Sequence, residues 1–560
     1  MEGVSLGRLI YLAVLALLLL IVWRGWFKGL RRKPGARKPS AASARDLLPG
    51  LLDKIEREND LVAIPKAFAL SFQCSDPALK LRAARAIAKR ISLLPVTRLA
   101  RLDSQFREWA PMEWDDGWRR ADPAALLSPS LTEAEKTVIL GLASFHPNGY
   151  FREKAVWSLS RMTTGAEFPY LIIRLNDWVV PVWNLANRAV RGRLTPQNAR
   201  TIVNALPLIV RLRGRSRRDH HDLVRAAIGI LSTPEARPEL ELGLRSKESM
   251  VRRHCYQAIA ETGIFKNSAL LGYVLKDPSP MNRAIVFRQL SANLTLEEVR
   301  SRREALLGDR SAPVRLITLR MLHRFDPAGS VPDLERAIMD DDPAVRDAAR
   351  FLLRDHDGRY DFPSIYREAL ASSSARLPGA IAGLGETGQA ADARSIIPFL
   401  KADRVRWARA GLRAYAKLDF AKAKGALIDL LADPRPGVVK EARSLLQKGV
   451  NSIDAADAGL IHRAFNKDEP AARRRRVAAL LCSLNKWDAL PYILEVSADP
   501  DETIARIGRE ALARWLSRYN RSFTAPSRTQ LEAIQSAVKD YGPAIPEQAR
   551  EQIAFNLKTL

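Results

Sequence analysis

Cysteine and histidine are scarce in this chain of 560 residues. The three cysteines, Cys74, Cys255 and Cys482, are far apart and odd in number, which argues against a disulfide framework or a cysteine zinc site. His220 and His221 cannot bind one metal from a helix, because ligands on one helical face are three or four residues apart. We therefore expect a reducing compartment, no metal site and no cofactor.

Motifs of catalysis are also missing. The sequence contains no phosphate-binding P-loop and no Gly-x-Ser-x-Gly elbow around a nucleophilic serine. Most carboxylates stand in turns or before helical segments. The acidic run 340–342 fits either a cation site or, as we favour, the cap of a helix. The sequence thus predicts a binding protein and not an enzyme.

The chain has one long apolar run, from Val4 to Trp23, in which Arg8 is the single charge. About 20 such residues are enough to cross the hydrocarbon core of a bilayer. A cleaved signal peptide has a similar apolar stretch, but the nearest small-residue motif, Ala42-Ser43-Ala44, lies far downstream. We expect an uncleaved transmembrane anchor within residues 1–27.

A basic linker, residues 28–45, follows this run and contains no acidic residue. Because lysine and arginine concentrate on the cytoplasmic side of a membrane, we expect the N-terminus outside and the rest of the chain in the cytoplasm, at a bacterial inner membrane. Each basic residue next to anionic lipid contributes about 1 kcal/mol. The residues expected near the lipid are Lys28, Arg31, Arg32, Lys33, Arg37 and Lys38.

The net charge of the whole chain is +27, and the linker accounts for only part of it. Such an excess suits acidic partners, which include lipid, nucleic acid and acidic protein. Arginine greatly outnumbers lysine, a bias that a GC-rich genome also produces. Charge alone leaves both interpretations open.

A repeat of about 31 residues organises most of the remaining chain. In four consecutive units a polar residue precedes an arginine by the same step. The leading residues are Ser246, Asp277, Asp309 and Asp340, and the arginines are Arg252, Arg283, Arg315 and Arg346. We predict that the leading Asp caps the second helix of its unit. We expect the arginine to bind that Asp or the Asp of the neighbouring unit.

Proline and glycine mark further positions in this pattern. Four prolines are predicted in the first turn of first helices, where no helical donor is lost: Pro169, Pro332, Pro398 and Pro491. The glycine-rich stretch from Gly379 to Gly388 is predicted at the end of a helix, where glycine serves as a C-cap in the turn between units.

These residues resemble HEAT repeats, in particular the bacterial type also seen in phycobilisome lyase subunits. The resemblance rests on the Asp–Arg spacing and on the stretch 380–388 followed by 396–400, and it covers residues 60 to 520. It implies an all-α fold with an α-solenoid of HEAT-like helix pairs over 46–520, and the apolar run predicts one transmembrane helix before it. Residues 521–560 are predicted to form a helical cap. HEAT repeats also imply a curved scaffold for protein partners.

The least repeat-like segment is 103–130, which contains three tryptophans beside acidic residues. These are Trp109, Trp114 and Trp118. Tryptophan is favoured at interface hot spots, so one interpretation is a loop that docks a partner. The other is that these side chains fill a gap in the helical stack.

Two arginine clusters are candidate binding sites or, alternatively, solvated helix ends. The first is a candidate acid-binding cluster of Arg211, Arg213, Arg215, Arg217 and Arg218. The second is the run 473–476, in which we assign Arg474 to the repeat. The partner-binding candidates there are Arg473, Arg475 and Arg476.

Together these patterns predict a membrane-anchored cytoplasmic scaffold that binds protein partners. The partners are expected in a membrane-associated complex, such as an envelope, secretion or polysaccharide-export assembly. The alternative is a basic solenoid that binds nucleic acid or anionic lipid, with its arginines clustered on one inner surface and with affinity that falls steeply with salt. A lyase-like subunit requires a pocket of titratable groups that the motifs do not supply.

Overall fold

A computed structural model describes residues 41–109, 116–214, 217–372, 377–466, 469–521 and 524–558. All regular structure among these residues is helical, so the predicted all-α class is confirmed. The helices form two compact units, which meet in the chain between Leu270 and Leu271. Within this part of the chain, no helix is both long and apolar enough to cross a bilayer. The predicted span and most of the basic linker fall on residues 1–40, outside the described residues.

The first unit contains thirteen α-helices in its described residues, which we number from the N-terminus. They are α1 (Ala41–Arg57), α2 (Ala63–Gln73), α3 (Pro77–Ser92), α4 (Val96–Trp109), α5 (Asp116–Arg120), α6 (Glu133–Ala143), α7 (Gly149–Ser160), α8 (Phe168–Arg174), α9 (Val180–Arg193), α10 (Ala199–Arg211), α11 (His221–Leu231), α12 (Arg237–Gly243) and α13 (Ser249–Thr262). The boundary between the units falls within the next helix, α14 (Asn267–Leu275).

The second unit continues the numbering. Its helices are α15 (Pro280–Leu290), α16 (Leu296–Arg300), α17 (Arg303–Leu307), α18 (Ala312–Phe325), α19 (Pro327–Ala337), α20 (Pro343–His356), α21 (Phe362–Ala371), α22 (Leu377–Thr387), α23 (Ala393–Ile396), α24 (Val405–Leu418), α25 (Phe420–Asp429), α26 (Pro436–Lys448), α27 (Ala455–Arg463), α28 (Ala471–Leu481), α29 (Lys486–Ser497), α30 (Glu502–Arg518), α31 (Arg528–Tyr541) and α32 (Glu547–Lys558).

Within each unit the helices pack as pairs in successive layers. In the second unit, each even-numbered helix from α18 to α28 packs on the next even-numbered helix. Each even-numbered helix from α18 to α30 also packs on the odd-numbered helix just before it, with which it forms a pair. The first unit shows the same next-but-one packing, for example between α1 and α3 and between α7 and α9. The predicted HEAT-like layering is therefore present inside each unit.

A buried arginine joins consecutive repeats. The Nε of Arg283 donates to Asp309 at 2.8 Å, and the Nε of Arg315 donates to Asp340 at 2.7 Å. Each arginine also donates from its Nη1 to a backbone carbonyl of its own turn, at Asp277 and Asp309 respectively, over 2.7 Å. This confirms that the repeat arginine binds the Asp of the neighbouring unit.

The same contact occurs at two further places, and a third repeat arginine has a different partner. In the first unit, Arg152 binds Asp177 through Nε and Nη2 at 3.0 and 2.9 Å. In the second unit, Arg474 pairs with Asp499 as the run 473–476 predicted. The third arginine, Arg346, binds the carboxylate of Glu386 on helix α22 and not the side chain of a turn aspartate.

The repeat aspartates do not cap the second helices as predicted. The carboxylates of Asp277 and Asp340 accept the N–H two residues further on, at 2.8 Å in both cases. The residues that donate these N–H groups, Ser279 and Asp342, are the N-caps of the two helices. The prediction is wrong at these turns because the Asp closes the turn and binds the arginine, which leaves the cap to a second polar residue. At the first repeat, Asp76 does cap its helix directly.

The prolines occupy more varied positions than predicted. Pro169 lies in the first turn of α8, as expected. Pro332 and Pro491 lie inside α19 and α29, because these helices begin several residues earlier, α19 after the cap at Asp326. Pro398 belongs to a short 3-10 helix, Ile397–Lys401.

Residues 379–387 of the glycine-rich stretch belong to a buried helix, α22, and not to the predicted turn. A Cβ at Gly385 would lie 2.5 Å from the Cα of Ala414, and one at Gly383 would lie 2.2 Å from the ring of Tyr366. These glycines therefore let α22 approach α24 and α21 closely. The C-capping interpretation is wrong for Gly379, Gly383 and Gly385, where the constraint is packing against neighbouring segments. Gly388 does follow the end of α22, where its N–H donates to the carbonyl of Leu384 at 2.7 Å.

Replacing Gly385 with Ala is expected to lower the free energy of unfolding by about 1–3 kcal/mol, because the added methyl group meets the backbone of α24. Chemical denaturation followed by circular dichroism measures this change. The matched control is Gly425→Ala in α25, where a Cβ meets nothing within 4 Å. That variant is expected to gain roughly 0.5–1 kcal/mol from helix propensity. Equal effects of the two substitutions would contradict the packing argument.

Candidate partner-binding groove

Four consecutive second helices of the second unit, α20, α22, α24 and α26, line a groove of about 750 Å³. Helix α24 contributes residues along most of its length, from Arg406 to Lys417. The groove therefore follows α24, with α22 on one side and α26 on the other. We call this feature the α24 groove.

The sequence of α24 places its basic side chains on one face. Arg406, Arg409, Arg413 and Lys417 follow one another at intervals of three or four residues, the spacing of one helical face. Leu412 and other apolar residues of the helix are buried against the neighbouring layers. The amphipathic pattern thus turns a continuous basic row toward the groove.

Glu386 of α22 is the centre of one ion cluster in the groove wall. It accepts from the Nε of Arg346 at 3.1 Å and from Nη1 of Arg350 at 2.9 Å, and the Nζ of Lys417 lies 3.5 Å away. Burial alone would raise the pKa of Glu386, but these three cations outweigh it and hold the pKa below its ordinary value. One carboxylate is therefore shared by three positive charges.

Glu441 of α26 forms a second cluster. Its carboxylate accepts from the Nε of Arg409 at 2.9 Å and from the Nε of Arg413 at 2.7 Å. Burial favours a higher pKa for Glu441, but the two guanidinium groups hold the pKa below its usual range. At the end of the groove, Arg406 pairs with Asp341.

The groove carries a net positive charge. Six cations line it, against the three carboxylates of Asp341, Glu386 and Glu441. The cations are Arg346, Arg406, Arg409, Arg413, Lys417 and Lys448. At neutral pH this leaves an excess of about three positive charges on a surface open to solvent.

The floor between these charges is apolar. It consists of alanines on α22 and α24 together with Phe420 and Leu445. Phe420 is held against the chain at Gly449, where a Cβ would lie 2.1 Å from its ring. A surface with an apolar floor and a polar rim suits contact with protein.

The acidic run 340–342 is fully engaged in protein contacts. Asp340 binds Arg315, Asp341 pairs with Arg406, and Asp342 caps α20 by accepting from the N–H of Ala344 at 2.9 Å. The sequence favoured helix capping for this run, and capping is the role of one of the three carboxylates, that of Asp342.

The structure places Trp118 in the core of the first unit. Its ring packs against Phe72, His146 and Phe151, with centroids 5.3, 4.3 and 5.1 Å away. The docking interpretation is therefore wrong for Trp118, since a buried ring fills the stack. Trp109 ends α4, and its side chain and the whole of Trp114 lie outside the described residues.

The basic cluster 211–218 packs partly on its own unit. Arg218 stacks over the ring of Trp183 at 4.1 Å, and Arg217 donates to the carbonyl of Asn176 at 3.5 Å. Arg213 pairs with Glu261 at 3.1 Å. Arg211 is exposed, and Arg215 lies outside the described residues. Of this cluster, the described residues Arg211, Arg213, Arg217 and Arg218 do not line the α24 groove.

In the run 473–476, Arg473 pairs with Glu469 at 2.6 Å and Arg475 donates to the backbone of its own helix. Arg476 is half-buried, and none of the three lines the α24 groove.

Sequence reasoning missed two features. The first is the basic row of α24. Its spacing is visible in the sequence, but the carboxylates that pair with it lie on other helices, and local spacing does not reveal them. Three exposed aromatic residues of the first unit, each beneath an arginine, were also missed. They are Tyr150 under Arg119, Trp157 under Arg161 and Trp178 under Arg152.

The chain matches no protein-family model and no curated protein. Among solved structures, an engineered protein is 15% identical, with 75% of this chain and 98% of that chain covered and a TM-score of 0.24. Kap95p with RanGDP is 12% identical, with 91% and 66% covered and a TM-score of 0.32. Kap121p is 11% identical, with 92% and 74% covered and a TM-score of 0.28. Because these TM-scores are low, the likenesses carry no argument about function.

Replacing Glu386 with Gln is expected to lower the free energy of unfolding by about 3 kcal/mol at pH 7, because Arg346 and Arg350 lose their counter-charge in a buried place. The native carboxylate has a lowered pKa, so its stabilisation is present above the ordinary value of 4.5 and is lost as the pH falls through the native value. Unfolding curves at several pH values should show the two proteins converging below pH 4.5. Glu532→Gln, at an exposed pair, is the control. A difference that persists unchanged at pH 3 would contradict this assignment.

Proposed function

We propose that this protein is a scaffold that binds partner proteins through the α24 groove while its N-terminal run holds it at the cytoplasmic face of a bacterial inner membrane. The observation that carries the binding role is the groove itself, an apolar floor between charged walls along four consecutive repeats. Stacked helix pairs of this kind present long surfaces that suit protein partners.

The groove chemistry supports binding and not catalysis. Its arginines stay protonated and cannot act as bases. The pKa values of Glu386 and Glu441 are lowered by the cations around them, and a carboxylate with a lowered pKa is a weak general base near neutral pH. We therefore infer a non-catalytic protein.

The proposal of a membrane anchor is based on the sequence. The run from Val4 to Trp23 is long enough to span a bilayer, and the basic linker after it is suited to anionic headgroups on the cytoplasmic side. A scaffold held in this way meets partners that are themselves at the membrane. We propose a membrane-associated assembly as the partner, of the envelope, secretion or polysaccharide-export kind.

Removing residues 1–40 is expected to move the protein from the membrane fraction to the soluble fraction and to leave its helical circular dichroism spectrum intact. The reason is that the proposed span lies entirely within the deleted segment. Fractionation of cells that express each form measures this. A truncated protein that stays in the membrane would overturn the tether, and one that aggregates would overturn the independent folding of the helical units.

A photo-crosslinking amino acid placed at position 406 or 448, in the groove, is expected to capture the same partner protein in intact cells. Positions 359 and 528 are the controls, because their side chains are about nine-tenths exposed and lie outside the groove. Mass spectrometry of the crosslinked bands identifies the partner. Equal capture from the control positions, or none from the groove, would overturn the groove as the binding surface.

A further inference from the structure

We propose that the α24 groove binds an extended acidic segment of a partner protein, with carboxylates at alternate positions along the segment. This inference rests on the proposed function and names the chemistry that the groove selects. It is supported by the unbalanced charge of the groove, the spacing of the basic row and the apolar floor.

The charge in the groove is only half neutralised by the protein itself. The single carboxylate of Glu386 forms ion pairs with three cations, Arg346, Arg350 and Lys417. The carboxylate of Glu441 forms ion pairs with two, Arg409 and Arg413. Lys448 forms no ion pair with any residue that the structure describes. An incoming carboxylate therefore finds cations whose charge is shared or unmatched, and it restores the balance.

Donor capacity remains on these arginines. The hydrogen bond from Arg409 to Glu441 uses its Nε–H, and the pair of Arg406 with Asp341 uses one terminal nitrogen. A guanidinium has five N–H donors, so both side chains can bind a further carboxylate without losing their present partner. Arg406 is well placed for this because its side chain is 64% exposed.

The spacing of the basic row fits an extended chain. Arg409 and Arg413 are one helical step of four residues apart, or about 6 Å along the axis. Carboxylates on every second residue of an extended peptide are about 6.6 Å apart. A segment that runs along α24 thus places successive carboxylates beside successive basic side chains.

The apolar floor of the groove suits the residues of the peptide that lie between its carboxylates. Because side chains of an extended chain alternate between two faces, the residues between the carboxylates turn toward the alanines, Phe420 and Leu445. Single-stranded nucleic acid, in contrast, binds to rows of exposed aromatic rings. Phe420 is the only aromatic residue among those described as lining the groove, and it is half-buried. The floor therefore favours a peptide.

The experiment uses the full chain in detergent and two fluorescein-labelled peptides, EAELEAEL and its uncharged counterpart QAQLQAQL. Fluorescence polarisation measures the dissociation constant of each. The acidic peptide is expected to bind about tenfold tighter at low salt, and this preference should shrink as salt screens the charges. Equal affinities for the two peptides would overturn the inference.

A triple variant tests the location. Arg406→Gln, Lys417→Gln and Lys448→Gln together should weaken binding of the acidic peptide about tenfold and leave the uncharged peptide unaffected. The control carries the same change of net charge at three exposed positions outside the groove, Arg359→Gln, Arg528→Gln and Lys539→Gln. It should bind as the natural protein does. Circular dichroism of both variants checks that they are folded, and equal loss in both would overturn the groove assignment.

Competition separates the classes of ligand. If a twelve-nucleotide oligothymidylate displaces the acidic peptide and binds more tightly, the groove recognises polyanions and the peptide assignment is overturned. If the groove crosslinks a partner in cells but shows no preference for the acidic peptide, the acidic chemistry fails while the proposed function stands. If the groove positions crosslink no partner, the proposed function fails whatever the peptides show.

Discussion

The contact between a buried arginine and the aspartate of the next repeat is the interaction on which the layering in each unit depends. In the pairs Arg283–Asp309 and Arg315–Asp340, the guanidinium binds the neighbouring carboxylate and a carbonyl of its own turn at once. A planar fork of donors fixes both distance and angle, which a point charge does not do. Because both partners are mostly buried, loss of either one leaves an unpaired charge in the interior.

The α24 groove begins where this contact changes. Arg346 occupies the repeat position, but its carboxylate comes from Glu386 on helix α22 and not from a turn. That carboxylate faces α24, where it also meets Lys417, so an interaction between layers becomes part of a surface. Gly385, next to it in the chain, lets α24 pack closely enough for this to happen. The fold and the candidate site thus share the same residues.

Much of the fold was predictable from short-range pattern, because the helix pairs repeat local chemistry. The spacing that defines Arg283 and Arg315 is visible in the sequence, and the correct partner was one of two that were considered. The glycine-rich helix α22 was not predictable, since glycine has the same local signature in a C-cap as in a close helix contact. Trp118 shows the same limit, because its burial depends on Phe72 and Phe151, which stand far from it in the chain.

The sequence by itself determined the all-α class, the repeat and its arginine, and the excess of positive charge, since each is a property of local spacing or composition. Only the tertiary structure decided where that charge is unbalanced. The basic row of α24 is legible along the chain, but Glu386 and Glu441 reach it from helices on either side. Coulombic balance depends on distances in space, and residues tens of positions apart in the chain set those distances. For this reason the groove could be found only after the helices were stacked.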